Sequence, residues 1–524
     1  MTLSELANGE PLDVAVIGGG VNGAAIAREA AARGLRVALL EQEDFGFGTS
    51  WRSTKLIHGG LRYLEHGDLR LVFESLRERA WLLKTRPHLV QPLRLLLPIL
   101  PWTRRPAWQL RAGLELYDLL AMYRAVPRHR SLSGDELHRR VPSLAEASSG
   151  GFSFFDAQAV APERLVLELA LEAEAMGATI LNHARVTGIR LAGGAVAAIE
   201  VEQGGECQEI AVRAVVNAAG PWVDAVNRLT GEAPQPLLGV TRGTHIVCEP
   251  DGPLPRDAIF STARSDGRVF FAIPQGHLLR VGTTDVRYDG DAGAVAPTAE
   301  EVDYLLSEAA ELLPGLAVRR EQVRYCYAGL RPLPEVKGGP EAAITRRHSV
   351  IRHAREGGPA GMFSIVGGKL STFRPLAREV AKTLGAGRAK SAADEGPGLA
   401  AFDLEGLNVP VHVREHLRVY GAASADVVAG GVDVVCAHAG ATSGEVTRAV
   451  RREHASTLSD IMLRRTGIAW ASCRGLCCHR RVAGLAAPLL GWDESAREAQ
   501  VAAFERDLAK HLPTLDEVGI GNSG

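Results

Sequence analysis

Residues 13–41, "DVAVIGGGVNGAAIAREAAARGLRVALLE", decide the fold. The opening "DVAVI" is a short apolar run that reads as a buried parallel strand, and "GGGVNG" comes directly after it. The small-residue stretch "AAIAREAAARG" then reads as a helix stopped at Gly34, and "RVALLE" as a second strand. Gly18, Gly20 and Gly23 satisfy G-x-G-x-x-G: the first allows the tight turn, the second lets backbone approach a pyrophosphate, and the third lets helix pack on strand. Glu41 closes the second strand, where a carboxylate accepts ribose hydroxyls and repels a 2′-phosphate. Strand, glycines, helix, strand and terminal acid in this order predict a dinucleotide site.

The chain beyond Glu41 selects the dinucleotide. An NAD dehydrogenase would continue with further βαβ units. This chain runs instead into "GFGTSWRSTKLIHGGLRYL" and Arg/Leu-rich helices. Later, "ERLVLELALEAEAMGA" reads as a helix and "TILNHARVTGIRLAGGAVAAIEVE" as a β-meander. "RAVVNAAGPWV" then returns as a buried strand ending in the small residues Ala218, Ala219 and Gly220. A strand that returns beside the first, with little bulk at its end, lets backbone approach a flavin, so the expected cofactor is FAD.

At 524 residues the chain exceeds one hydrophobic core, and two or three domains are expected. Hydrophobic residues make up 46% and charged residues 23%, with a formal net charge of −2; this argues against a nucleic-acid binder and makes any anion site local. Seven cysteines in so long a chain argue against a disulfide framework and for a reducing compartment. Cys473, Cys477, Cys478 and His479 fall within one or two helical turns and have no second ligand pair, so they read as helix-packing thiols and no metal is expected. The N-terminal "MTLSELANGEPLD" has neither a basic nor an apolar signal region, and no run approaches the ~20 apolar residues of a spanning helix. A cytoplasmic protein, peripherally associated with the inner face of the cell membrane, is the expectation.

Eight stretches between residues 13 and 469 carry a family resemblance: "DVAVIGGGVNGAAIAREAAARG", "TSWRSTKLIHGGLRYLEHGDLRLVFESLRERA", "VNAAGPWVD", "RGTHIV", "VGTTDVRYDGD", "YAGLRPLP" with "AITR", "GGKLSTFRPLA" and "HASTLSDIMLRRTGIA". In content and order they resemble the respiratory, aerobic-type FAD-dependent glycerol-3-phosphate dehydrogenases, within the D-amino-acid-oxidase-like flavoenzymes. "KLIHGGLRYLE" and "GGKLSTFR" are the most specific. Three features depart from the pattern: Trp51 where small residues are common, Gln275 where an aromatic is expected, and the cysteine-rich "SCRGLCCHRR".

The resemblance implies an α/β chain: a Rossmann-like FAD-binding domain of the two-dinucleotide-binding type, an antiparallel β-sheet substrate domain and a C-terminal all-α domain. Residues 1–90 would form the first part of the FAD-binding domain, 91–150 a helical segment suited to face a membrane, and 151–236 the second part. Residues 237–345 would form the substrate-binding antiparallel sheet, 346–385 the return to the FAD-binding domain, 386–405 a linker and 406–524 the C-terminal helical domain.

Noncovalent FAD would be held by Gly18, Gly20, Gly23 and Glu41, by Thr49, Ser50 and Ser53, and by Val186, Ala219 and Gly220. Lys55, Leu56 and His58 would lie along the flavin, Gly59 and Gly60 would give room for close approach, and the turn carrying Gly368, Leu370, Ser371 and Thr372 would stabilise charge at its N1/C2 edge. The implied reaction oxidises sn-glycerol 3-phosphate to dihydroxyacetone phosphate, the C2 hydride passing to flavin N5. Arg62, Tyr63, Arg346 and Lys369 would bind the phosphate, and Arg331 with His245 would act at the hydroxyl, His245 as base. Read without the resemblance, each has a bland alternative: Arg62 and Tyr63 as a solvated helix face, His245 as a structural histidine, Lys369 as a loop lysine.

No second Rossmann unit, haem motif or iron–sulfur pattern is present, so electrons leave to a diffusible acceptor. The resemblance points to a membrane quinone. "RLLLPILPWTRRPAWQLRAGLELYDLLAMYR", residues 94–124, interleaves Leu, Trp and Tyr with Arg, as a monotopic membrane surface does; helices packed on the FAD-binding domain would look similar. The helical tail suggests packing or a homodimer contact. Two other functions stay open: an oxidase of glycerol 3-phosphate or an amine that uses oxygen, and a non-catalytic flavoprotein.

Overall fold

The computed structural model describes residues 2–64, 67–146, 148–232, 235–335, 347–387 and 403–512; of Arg62 only the backbone is described. Arg346 and most of the expected linker therefore lie outside the described residues.

Strand Val14–Ile17 is the centre of a six-stranded sheet. It pairs in parallel with Val37–Leu40 on one side and with Val215–Asn217 on the other. Thr179–Leu181 extends the first side, and Met362–Val366 with the antiparallel edge strand Ser349–Arg352 extends the second. Side chains alternate between faces. Val14, Val16, Val37 and Leu39 point into a core shared with the helices Val21–Ala32, Pro162–Ala175 and Phe373–Thr383. Ala15, Ile17, Ala38 and Leu40 face a second core, built with the antiparallel meander Ala184–Ala192, Ala195–Gln203 and Glu206–Ala211.

The larger sheet has ten strands and is almost wholly antiparallel. Its middle is Leu238–Cys248, Leu278–Gly282, Val269–Gln275 and Ala258–Thr262, with Val323–Pro334 paired along Leu238–Cys248. Residues 91–150 depart from the helical expectation. Val90–Pro98 is a strand of this sheet, antiparallel to Gly150–Ala159, and Arg130–Ser133 is another. The reason is two-sided burial: Leu96 enters one core while Leu95 and Leu97 enter another, which makes a continuous apolar run without the period-2 alternation of a half-exposed strand. A helix Ala107–Leu120 does occur further along. The C-terminal part is helical apart from a short hairpin, Val434–Cys436 with Ala441–Thr442.

Buried charge joins the C-terminal part to the dinucleotide sheet. Asp44 is fully buried just after strand Val37–Leu40 and accepts hydrogen bonds from Arg465 Nη1 (2.7 Å) and Nη2 (2.8 Å), Arg464 Nε (2.5 Å) and Asn182 Nδ2 (2.9 Å). Burial alone would raise its pKa; Arg465 and Arg464 reverse that and hold it below the ordinary value. Glu453 is clamped by Arg164 and Arg448, and against the opposing effect of burial these hold its carboxyl down to about 2.

Asp44→Asn leaves the buried Arg465 without its carboxylate and Arg464 with Asp460 alone, and is expected to lower unfolding stability by about 3–5 kcal/mol in denaturant titration; a loss within about 0.5 kcal/mol, the level of an ordinary surface substitution, would show that the network holds nothing together. The depressed Glu453 pKa adds stability that is complete above its unfolded value of about 4.3 and is lost as pH falls toward about 2. Glu453→Gln should therefore be destabilised at neutral pH and lose stability less steeply on acidification.

Candidate active site

Two adjoining cavities lie between the dinucleotide sheet and the large sheet. The first, a cleft of about 1140 Å³, begins between Glu41, Val186 and Trp222, passes Gly18, Gly20 and Ser50, and reaches Gly368 and Leu370. The second is lined by Ser53, Thr54, Lys55, Leu56, His58, Gly60, Tyr63, Arg331 and Ser371. Thr49, Ser53, Gly368, Lys369 and Leu370 border both.

The first cavity fits a dinucleotide. Gly18 is held at φ +106°, so its carbonyl turns toward the helix, and a Cβ on Gly23 would collide with that oxygen. The close approach brings helix Val21–Ala32 up with its amino end, capped by Gly20, in the cleft wall, where its free N–H groups and dipole favour a phosphate. Val21 N donates to Ser50 Oγ (3.0 Å), and Glu41 accepts from Gly19 N at 2.6 Å and from Glu43 N at 2.9 Å. Burial pushes the Glu41 carboxyl up to about 7. Val186, Ala219 and Gly220 line the same cleft, whereas Gly23 stands behind it.

The second cavity gathers cations. Lys369 Nζ sits 3.7 Å from the centroid of the Tyr63 ring. Arg331 donates to Asp285 Oδ1 (3.0 Å) and Thr283 Oγ1 (3.1 Å), which fix its plane at the cavity wall. His58 is pushed down to about 3 by burial and by the charges of Lys369 and Arg79, so it is neutral at physiological pH. Lys55 is pushed down to about 8 by burial, against the pull of Glu163 at 3.8 Å.

Besides Gly23, three expected residues do not reach the cavities. His245 is buried one layer behind: its Nε2 is 2.9 Å from Thr54 Oγ1, and its ring stacks on Tyr327 with centroids 4.9 Å apart. Burial, then Arg280, Arg331 and Lys55, push its pKa well below the ordinary histidine value. Gly59 faces the protein interior, where a Cβ would lie 2.7 Å from Leu76 Cγ and 2.8 Å from Tyr117 Oη; its N–H donates to that Tyr117 hydroxyl at 2.8 Å. Thr372 caps helix Phe373–Thr383 and accepts from Lys369 N at 3.3 Å, shaping the turn from within. The Arg62 side chain and Arg346 lie outside the described residues.

Among the second-cavity residues that sequence reading did not single out are Phe260, Arg268, Phe271, Thr283 and Asp285. Phe260 and Phe271 pack edge to face at 5.2 Å, and Arg268 Nη1 donates to the Asp285 carbonyl at 3.0 Å. The available signal was "RVFFAIP", whose period of 2 puts Val269 and Phe271 on one face of a strand, with Arg268 just before it.

Comparison with known proteins agrees with this geometry. Residues 13–374 match the FAD dependent oxidoreductase family, and residues 364–497 match the C-terminal domain of alpha-glycerophosphate oxidase. A glycerol-3-phosphate dehydrogenase of Synechocystis is 37% identical over 498 residues, covering 87% of this chain and 89% of its own. A D-erythritol 1-phosphate dehydrogenase of Brucella abortus is 36% identical over 489 residues, covering 88% and 95%. The crystal structure of a glycerol-3-phosphate dehydrogenase from Bacillus halodurans complexed with FAD superposes with a TM-score of 0.79 at 27% identity, covering 99% of this chain and 98% of that one. The chain belongs to the FAD-dependent glycerol-3-phosphate dehydrogenase family. FAD is its cofactor.

Lys369→Ala removes a cation from the wall that both cavities share. It is expected to raise KM for a phosphorylated substrate about tenfold or more while FAD remains bound; an unchanged KM would take Lys369 out of substrate recognition.

Proposed function

We propose that the protein oxidises sn-glycerol 3-phosphate to dihydroxyacetone phosphate and delivers the electrons to a membrane quinone. The observation that carries the reading is the set Lys369, Tyr63, Arg331 and Arg268 around one cavity continuous with the dinucleotide cleft. Bound FAD supplies the hydride acceptor, its N5. The chain supplies the rest. Lys369 and Tyr63, completed in this reading by Arg62 and Arg346, hold the phosphate dianion at one end. Arg331, braced by Asp285, faces the hydroxyl and stabilises negative charge as its proton leaves. The Gly368–Leu370 stretch offers backbone donors at the junction of the cavities.

Proton removal in this reading runs through Thr54. A base must lie within hydrogen-bond reach of its proton, directly or through one relay. Thr54 stands in the cavity wall and bonds His245 Nε2, so its hydroxyl can take the substrate proton as it gives its own to the imidazole. The depressed pKa keeps His245 neutral at physiological pH, with a lone pair open to a proton, and makes it a weak base that must pass the proton on. Thr54→Val is expected to lower kcat on the order of 10²-fold with the flavin spectrum intact. Unchanged turnover would remove the relay.

The membrane part rests on helix Ala107–Leu120. It buries only Leu114 and Tyr117, while Trp108 is 72% exposed, Leu119 55% and Met122, just beyond, 50%. Exposed Arg104, Arg111 and Arg124 flank this apolar surface, which suits insertion beneath anionic headgroups. Among the described residues no helix is long and apolar enough to cross a membrane. The buried face bonds the backbone behind the cavity wall, between His58 and Gly60: Tyr117 Oη accepts from Gly59 N and donates to Asp156 at 2.8 Å.

Anaerobic addition of glycerol 3-phosphate should bleach the flavin; bleaching only by a D-amino acid or sarcosine would move the activity elsewhere in the fold group. D-erythritol 1-phosphate tests a longer polyol phosphate, and stoichiometric peroxide in air would make the protein an oxidase. In flotation with anionic liposomes at low salt the protein should rise, and Trp108→Asp combined with Leu119→Asp should leave it at the bottom while turnover with a soluble dye persists. A wild-type protein that stays at the bottom removes the membrane surface.

A further inference from the structure

The cysteines that depart from the family pattern come together in space. Cys473, Cys477 and Cys478 sit in a run of turns before helix His479–Leu490, and Cys436 ends strand Val434–Cys436 of the short hairpin. Cys436 Sγ lies 3.6 Å from Cys473 Sγ and 3.9 Å from Cys477 Sγ, and all three sulfurs lie within 4.8 Å of one another. Cys478 follows directly, buried, with its thiol donating to the Gly475 carbonyl at 3.4 Å. The pair of ligands that the tail lacks as a sequence motif is thus completed by a cysteine from a separate segment.

We propose that these thiols form a mononuclear structural zinc site, with Cys436, Cys473 and Cys477 as ligands and Cys478 turning in as the fourth. Four sulfurs bonded to zinc at about 2.3 Å stand about 3.8 Å apart along the edges of the tetrahedron, the separation that Cys436 already keeps from its two neighbours. In an iron–sulfur cluster only cysteines on the same iron stand this close and those on different irons are farther apart, whereas three sulfurs here lie within 4.8 Å of one another. The cysteines are free thiols, well beyond the ~2.0 Å of a disulfide. Burial is graded as a metal site requires: Cys436 and Cys478 are buried, Cys473 is intermediate and Cys477 is exposed, which leaves an entry path. Four thiols lose their protons as four sulfur–zinc bonds form.

The turn before helix His479–Leu490 passes through two consecutive left-handed residues, Arg474 (φ 53°) and Gly475 (φ 75°), and zinc would tie it to the neighbouring hairpin.

The test is metal content of the holoprotein purified in reductant without chelator. Wild type should hold one zinc per flavin, and cobalt exchanged for it should show thiolate-to-cobalt charge transfer in the near ultraviolet. Cys436→Ser should lose zinc affinity by about 100-fold or more, while Cys207→Ser, on the meander, keeps full zinc. If Cys436→Ser does not fold, removal of zinc from wild type by chelator should lower Tm, and added zinc should restore it. The proposal is overturned by wild-type protein that takes up neither zinc nor cobalt in reductant, by a Cys436→Ser variant with undiminished zinc, or by a Cys436–Cys473 disulfide that persists in reductant.

Discussion

The arrangement of this chain depends on the segment from Asp44 to Lys55, which leaves the dinucleotide sheet and is fixed in turn to every other part of the molecule. Asp44 binds the paired guanidiniums of Arg464 and Arg465 from the C-terminal helices. Thr49 Oγ1 donates to the Leu330 carbonyl at 2.6 Å, and Ser53 O accepts from Tyr327 Oη at 2.8 Å, which fastens the segment to a strand of the large sheet. Trp51 stacks against Trp470 at 4.5 Å, so the tryptophan that departs from the family pattern is an anchor for the C-terminal domain. Buried ion pairs of this kind add little net stability compared with apolar packing, and their strength is in rejecting other arrangements, because one misplaced partner leaves a bare charge in the interior.

Charge is distributed unevenly for a chain with a net charge of −2. Its candidate substrate cavity is lined by Lys369, Arg331 and Arg268, while the two histidines beside it are kept neutral by burial and by neighbouring cations, Lys369 and Arg79 for His58 and Arg280, Arg331 and Lys55 for His245. Lys55, pushed down to about 8, is the wall cation whose charge falls as pH rises above neutral. An anion entering the cavity meets a positive field focused by low-dielectric walls.

The dinucleotide half was legible from residues 13–41 because its pattern is compact: Gly23 makes room for the Gly18 carbonyl five residues before it, and the acid at Glu41 closes the second strand of the unit. Elements that act across long separations were not. Thr54 and His245 meet from positions 191 residues apart, and nothing near either residue announces the other. Strand Val90–Pro98 hid because both of its faces are covered, which erases the alternation by which a strand is read. Gly59 and Gly60 look equivalent in sequence; Gly60 lines the cavity, and Gly59 makes space for Leu76 and Tyr117. Cys436 carried no motif of its own, so the thiol cluster existed only once the hairpin was folded.

The turn around Gly368, Lys369 and Leu370 borders the nucleotide cleft and the cationic cavity together, and Asn22 Nδ2 at the start of the nucleotide helix donates to the Gly367 carbonyl at 3.4 Å. In the proposed function, cofactor retention and phosphate recognition would share one piece of backbone, so that neither could drift without the other. Phe260 and Phe271, on strands Ala258–Thr262 and Val269–Gln275, and Arg268 just before the second, border the second cavity alone. On that reading, a longer or shorter polyol phosphate would be accommodated there, where a substitution leaves the shared turn untouched.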